Sequence, residues 1–147
     1  SDARKNGKSG VCIISSPKKK PYLSDRKFLQ KFGFETVDRI GKEYELMAVS
    51  FNGTVPEFTP NAKKQSIDSE ELTIYYSPQC PFIPNCIEQI ENYCNINKIP
   101  VNLIKVDTLE KAKELPCVFN NWAVFYNGRF ETVQLLNENS LKKLLDK

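Results

Sequence analysis

Two cysteines with five residues between them close the stretch YYSPQCPFIPNC, residues 75–86 of a 147-residue chain. A redox dithiol places its first thiol at a helix N-terminus, where the helix dipole and free backbone N–H groups stabilise the thiolate, and its second thiol within bridging distance. Cys80 occupies the first position. Pro81 and Pro84 decide where a helix can begin, because proline is tolerated at the first helical position and costs roughly 3 kcal/mol in a helix interior. Pro84 as the first helical residue leaves Cys80 in the preceding loop and Cys86 near the first turn. Were the whole stretch helical, six residues of rise would part the two Cα atoms by about 9 Å, whereas a disulfide needs roughly 4.4–6.8 Å. Only a folded-back loop permits the bridge. Three uses of these thiols stay open: a redox pair, structural thiols, and a zinc site. Against zinc stand the lack of any histidine and of paired C-x₂-C knuckles. Cys12, inside an apolar run, and Cys94, on a helical stripe, read as small buried hydrophobes.

The elements that must position these residues divide into two groups. Hydrophobic residues make up 40% and charged residues 27% of the chain, an ordinary balance for a globular protein. No apolar run approaches the roughly 20 residues of a membrane span, and no export signal opens the chain, so a cytoplasmic location is expected without membrane attachment. Five cysteines do not close a secreted disulfide framework, which also favours reduced thiols. Residues 1–64 carry 13 Lys+Arg against 7 Asp+Glu, and residues 65–147 carry 8 against 11. The change of sign coincides with NGTVPEFTPNAKKQSIDSEE, residues 52–71, where apolar periodicity stops. Such a stretch is too long for a loop inside one compact domain, where loops beyond about 12–15 residues are uncommon. The expected organisation is therefore a domain over residues 1–52, a linker over 53–70 and a domain over 71–147. The basic excess is modest and not interleaved with aromatics on one element, so no nucleic-acid partner is expected.

In the first group, GVCIIS (residues 10–15) predicts a buried strand. Ser24 predicts the N-cap of a helix whose stripe is Phe28, Leu29 and Phe32, and Gly33 predicts its stop. FETVDRI (34–40) and YELMAVSF (44–51) predict a hairpin around GKE. This β-α-β-β order, with FLQKFGF at the helix end, resembles the C-terminal half of a GNAT acyltransferase. The resemblance implies transfer of acetyl from acetyl-CoA to an amine of a small molecule or peptide. It also implies what is missing. The tyrosine that protonates the departing thiolate in many members corresponds to Leu29, which cannot act as an acid. The Q/R-x-x-G-x-G/A loop that holds the cofactor pyrophosphate at a helix N-terminus does not occur, and SDARKNGKSG resembles the tail of the helix that would follow it. No catalytic or cofactor-binding residue can be named in this chain, and alone it is expected to be inactive. With no histidine present, no imidazole base is available. Half a GNAT sheet exposes a strand edge, so the expected partner is the N-terminal half of that domain or a second copy of the chain. Lys18, Lys19 and Lys20 read as a solvated loop.

The second group reads as LTIYYS (72–77) strand, a helix from residue 84 to 97, IPVNLIKVD (99–107) strand, TLEKAKELP short helix, NWAVFYNGRFETVQLL hairpin and ENSLKKLLDK helix. That β-α-β-α-β-β-α succession, with FYNGRF at its hairpin, resembles the thioredoxin fold. Together the two groups resemble the C-terminal part of a YoaP-type acetyltransferase, in which a GNAT domain precedes a thioredoxin-like YoaP domain. The resemblance implies a proline facing the dithiol. The position before the hairpin is instead Asn120, with Pro116 four residues earlier. Pro116 and Cys117 could approach Cys80 from that side, making Cys80, Cys86 and Cys117 the candidate redox thiols. Three functions follow: an acetyltransferase part whose thioredoxin-like domain is noncatalytic, a thiol-disulfide oxidoreductase using Cys80 with Cys86 or Cys117, and a noncatalytic substrate-binding or interaction module.

Overall fold

The computed structural model describes residues 2–147; Ser1, which begins the SDARKNGKSG segment, lies outside the described residues. The architecture is mixed α/β with two separate sheets, in two compact units that divide between Thr59 and Pro60.

The first unit runs α1 (Asp2–Lys5), β1 (Gly10–Ser15), α2 (Arg26–Lys31), β2 (Glu35–Ile40), β3 (Tyr44–Ser50). Its sheet is antiparallel in the order β1-β3-β2. β3, paired on both sides, buries Tyr44 to Ala48 without interruption, while β1 exposes Val11 and Cys12. Cys12 is therefore not the buried hydrophobe its neighbours in sequence suggest: it lies on an edge strand of three. Asp25, not Ser24, caps α2, because the Asp25 carboxylate accepts from the backbone N–H groups of Lys27 and Phe28 at 2.9 and 3.2 Å. Ser24 instead gives its carbonyl to the Ser15 hydroxyl at 2.9 Å. The end of α2 explains the word GF. Gly33 stands at φ +83, its N–H reaches Gln30 O and the Phe34 N–H reaches Leu29 O, the two bonds of a Schellman cap that needs a left-handed residue. Of the predicted stripe, only Leu29 is buried; Phe28 and Phe32 are exposed, with ring centroids 5.0 Å apart.

The second unit runs α3 (Pro60–Lys64), β4 (Leu72–Tyr76), α4 (Ile83–Ile96), β5 (Val101–Lys105), α5 (Leu109–Lys113), β6 (Trp122–Tyr126), β7 (Arg129–Thr132), α6 (Glu138–Leu145). The sheet order is β5-β4-β6-β7, with β4 parallel to β5 and the other pairs antiparallel. Alternation along β4 and β6 separates two cores. Leu72, Ile74, Trp122 and Val124 pack with Ile83, Cys86, Ile90 and Cys94 of α4 and with Leu141 and Leu144 of α6. Ala123 and Phe125 point the other way and pack with Cys117, Tyr75, Phe119, Phe130 and Ile67. Asn127 and Gly128 close the β6–β7 hairpin with φ of +51 and +76, the two positive angles of a type I′ turn. β7 is shorter than the sequence predicts. The Thr132 hydroxyl accepts from Gln134 N–H at 3.0 Å, and the Gln134 carbonyl turns away to accept from Trp122 Nε1 at 2.8 Å.

The expected linker also needs correction. Its second half folds onto the second unit: α3 buries Ala62, Ser66 bridges to Arg129, and Gln65 to Glu70 exchange backbone hydrogen bonds with residues 127–130. The polar, proline-bearing composition that signals a linker is equally that of a strap bonded through its backbone. Among the described residues, no helix is long and apolar enough to cross a membrane.

Candidate functional site

Cys80 sits half-buried in the loop after β4, and its carbonyl accepts from Ile83 N–H at 3.1 Å. The helix starts one residue earlier than expected, so Pro84 is its second residue rather than its first. Proline costs little there, since the first-turn N–H groups have no intrahelical partner. Cys86 faces inward on that helix. Its thiol donates to the Leu136 carbonyl at 3.2 Å, and burial raises its pKa, an effect that this hydrogen bond partly offsets. Cys94, deeper on the same stripe, is raised by burial as well.

Cys117 lies on the other side of the sheet. It belongs to the core of Ala123 and Phe125, whereas Cys86 belongs to that of Trp122 and Val124, and β6 runs between the two. The Cys117 thiol donates to Phe119 O at 3.3 Å, and burial pushes its pKa up to about 11. The structure thus places Cys80 and Cys86 against one core and Cys117 against another. All five thiols are free. A nucleophilic thiolate needs a depressed pKa and an electropositive, accessible setting; Cys86 and Cys117 have the opposite environment. Among the described residues no group of His, Cys, Asp and Glu could hold a metal ion.

A different place in the fold concentrates charge. Where β1 ends, the chain loops over residues 16–24 before α2, and that loop encloses a cavity of about 470 Å³ lined by Lys18, Lys19, Lys20, Asp25, Arg26 and Lys27 among others. Both ends of the loop are pinned by the Ser15 to Ser24 bond, and the buried Ser16 hydroxyl accepts from Lys18 N–H at 3.2 Å. Lys20 is held as a wall: its ammonium is 3.2 Å from Glu43 and lies 5.6 and 6.0 Å from the ring centroids of Tyr44 and Tyr22. Its hydrogen bond to Glu43 raises the Lys20 pKa, and Lys20 with Lys18 holds the Glu43 carboxyl below its usual range. Behind the cavity Glu45 is buried on β3, 3.4 Å from both Arg26 and Arg39. The lysine run is thus one rim of an enclosure rather than only a solvated loop. The signal was present as KKK and DRK flanking a strand-to-helix connection, but nothing in it says that the chain bends to face itself.

Compared with known proteins, residues 100–143 match the family model described as YoaP-like. Over 147 residues, 99% of its length, the chain is 33% identical to the uncharacterized N-acetyltransferase YoaP of Bacillus subtilis (strain 168). This chain resembles a YoaP-type N-acetyltransferase. It spans 59% of the length of the Bacillus subtilis YoaP. The YoaP-like match runs from the start of β5 into α6 and so includes Cys117 but neither Cys80 nor Cys86. The similarity to YoaP as a whole extends over both units and takes in the basic cavity. No solved structure matches the chain.

Proposed function

We propose that this chain supplies the C-terminal part of a GNAT-type N-acetyltransferase that moves acetyl from acetyl-CoA to an amine, and that it works in the cytoplasm. The observation that carries this reading is the similarity to the Bacillus subtilis N-acetyltransferase along nearly the whole chain. The topology supports it. An antiparallel β1-β3-β2 sheet, with α2 connecting β1 to β2, agrees with the end of a GNAT domain. The order β5-β4-β6-β7 with a parallel β4–β5 pair agrees with a thioredoxin-like unit. Acetyl transfer needs a base to take the amine proton and N–H groups to hold the developing oxyanion, and both are assigned to a segment outside this chain. The same segment, or a second copy, is the proposed partner of the β1 edge, the strand on which Val11 is exposed. The thioredoxin-like unit is proposed to be noncatalytic, because two of the three candidate thiols are held protonated by burial.

The test joins this chain to the region of the Bacillus subtilis YoaP that has no counterpart in it. The fusion should bind coenzyme A and acetylate members of a panel of amines, followed by mass spectrometry, whereas the chain alone should acetylate none. A fusion that is folded by circular dichroism and gel filtration yet neither binds coenzyme A nor acetylates any amine would overturn the proposal.

A further inference from the structure

We propose that the cavity enclosed by the β1–α2 loop is a binding site for a phosphate group. Its volume, about 470 Å³, is that of a small-molecule site. Five cations line it, Lys18, Lys19, Lys20, Arg26 and Lys27, against the single carboxylate of Asp25. That carboxylate is already committed to the N–H groups of Lys27 and Phe28. Two further carboxylates stand behind the wall, and each is shared: Glu43 serves Lys18 and Lys20, and Glu45 serves Arg26 and Arg39. Among the described residues, Lys19 and Lys27 make no ion pair. Holding several ammonium groups around one small space is unfavourable until an anion enters it.

The donor set selects the anion. The two-pronged arginine fork matches planar carboxylates as well as phosphates, and Arg26 is drawn back to Glu45 at 3.4 Å. What remains are ammonium point charges with three rotatable donors each, which bind phosphate through its multiple charge rather than through a planar fork. The loop is preorganised by Ser15, Ser16 and the Lys20–Glu43 pair, so little ordering entropy is spent on binding. The phosphate could belong to a nucleotide-bearing cofactor or to a phosphorylated amine; the chemistry is shared.

Titration of the full chain with inorganic pyrophosphate at low salt, followed by calorimetry, should show saturable one-site binding. Replacing the two unpaired lysines together, Lys19→Ala with Lys27→Ala, should weaken it about tenfold. Removing the same charge elsewhere in the unit, Lys31→Ala with Lys42→Ala, should leave the affinity within about twofold, since exposed distant charges are screened. Equal weakening by both pairs, or no saturation, would overturn the site. Coenzyme A and phosphoethanolamine as competitors then separate the two sources: displacement by either supports the site, and displacement by neither counts against it. Because pyrophosphate needs neither an acetyl group nor a second segment, this experiment and the fusion assay fail independently.

Discussion

Cys117 shows how far a residue's chemistry depends on which face of a sheet it meets. Its thiol is 4% exposed, and burial raises its pKa from near 9 to about 11. Because the folded-state value is the higher one, the associated stability is fully present below pH 9 and is lost as pH rises toward 11. The unfolded chain gives up this proton first, and the loss amounts to about 3 kcal/mol over two units. Cys117→Ala should therefore flatten the fall in stability between pH 9 and 11, measured by urea unfolding at stepped pH. A two-unit shift also makes Cys117 about a hundredfold poorer in thiolate than an unshifted thiol at pH 8. Native alkylation should label Cys12 and Cys80 first and leave Cys117 until denaturant is added. If Cys117 labels alongside Cys12, the burial argument is wrong. The sequence marked Cys80, Cys86 and Cys117 as the thiols to watch, but their separation onto two cores rests on the parity of β6, which spacing around Pro116 does not reveal. Glu45 was equally illegible: a glutamate in YELMAVSF looks like an exposed strand position until Arg26 and Arg39 are brought to it.

At the scale of elements, patterns that repeat were readable and patterns that end were not. The sequence reads a stripe of Ile83, Cys86, Ile87, Ile90, Tyr93 and Cys94 at spacings of three and four; Ile83, Cys86, Ile90 and Cys94 form the buried face of α4, and Ile87 and Tyr93 flank it half-buried. In the short α2 a comparable stripe buries Leu29 alone and leaves Phe28 and Phe32 outside, because two helical turns do not fix which side meets the sheet. The hairpin turn at Asn127 and Gly128 was legible since only such residues accept two positive φ angles cheaply. The end of β7 depends on one hydroxyl and one indole and was not. The α4 face yields a direct comparison. Ile90 is 2% exposed and Ile96 is 79% exposed, so Ile90→Ala should cost about 2–4 kcal/mol through lost burial and a residual cavity. Ile96→Ala should change stability by less than about 0.5 kcal/mol. Chemical denaturation of the two variants measures both, and similar losses would show that α4 packs through a different face.

At the scale of the whole molecule, the sign change in charge and the loss of periodicity located the two-unit organisation, yet placed the start of the second unit at residue 71 rather than at Pro60. The difference is physical. Residues 60–70 hold their place through backbone hydrogen bonds that any sequence can make: Ile67 N–H to Gly128 O at 2.9 Å, Asn127 N–H to Glu70 O at 3.0 Å and Phe130 N–H to Gln65 O at 3.1 Å. The approach is close enough that a Cβ on Gly128 would lie 2.9 Å from the Ile67 carbonyl. Ile67 adds apolar contact with the core around Phe125, and Ala62 is buried. Three such bonds at about 1 kcal/mol each, before the apolar contacts are counted, put the strap's contribution at about 3 kcal/mol. The strap also bridges to β7, the outermost strand of its sheet, and an exposed edge of that kind invites pairing with other chains. A fragment of residues 60–147 should accordingly unfold in one cooperative urea transition and remain monomeric in sedimentation. A fragment of residues 71–147 should unfold at markedly lower urea and self-associate through the bared β7 edge. Equal midpoints and equal masses for the two fragments would mean that residues 60–70 are a linker after all, lying on the hairpin without holding it.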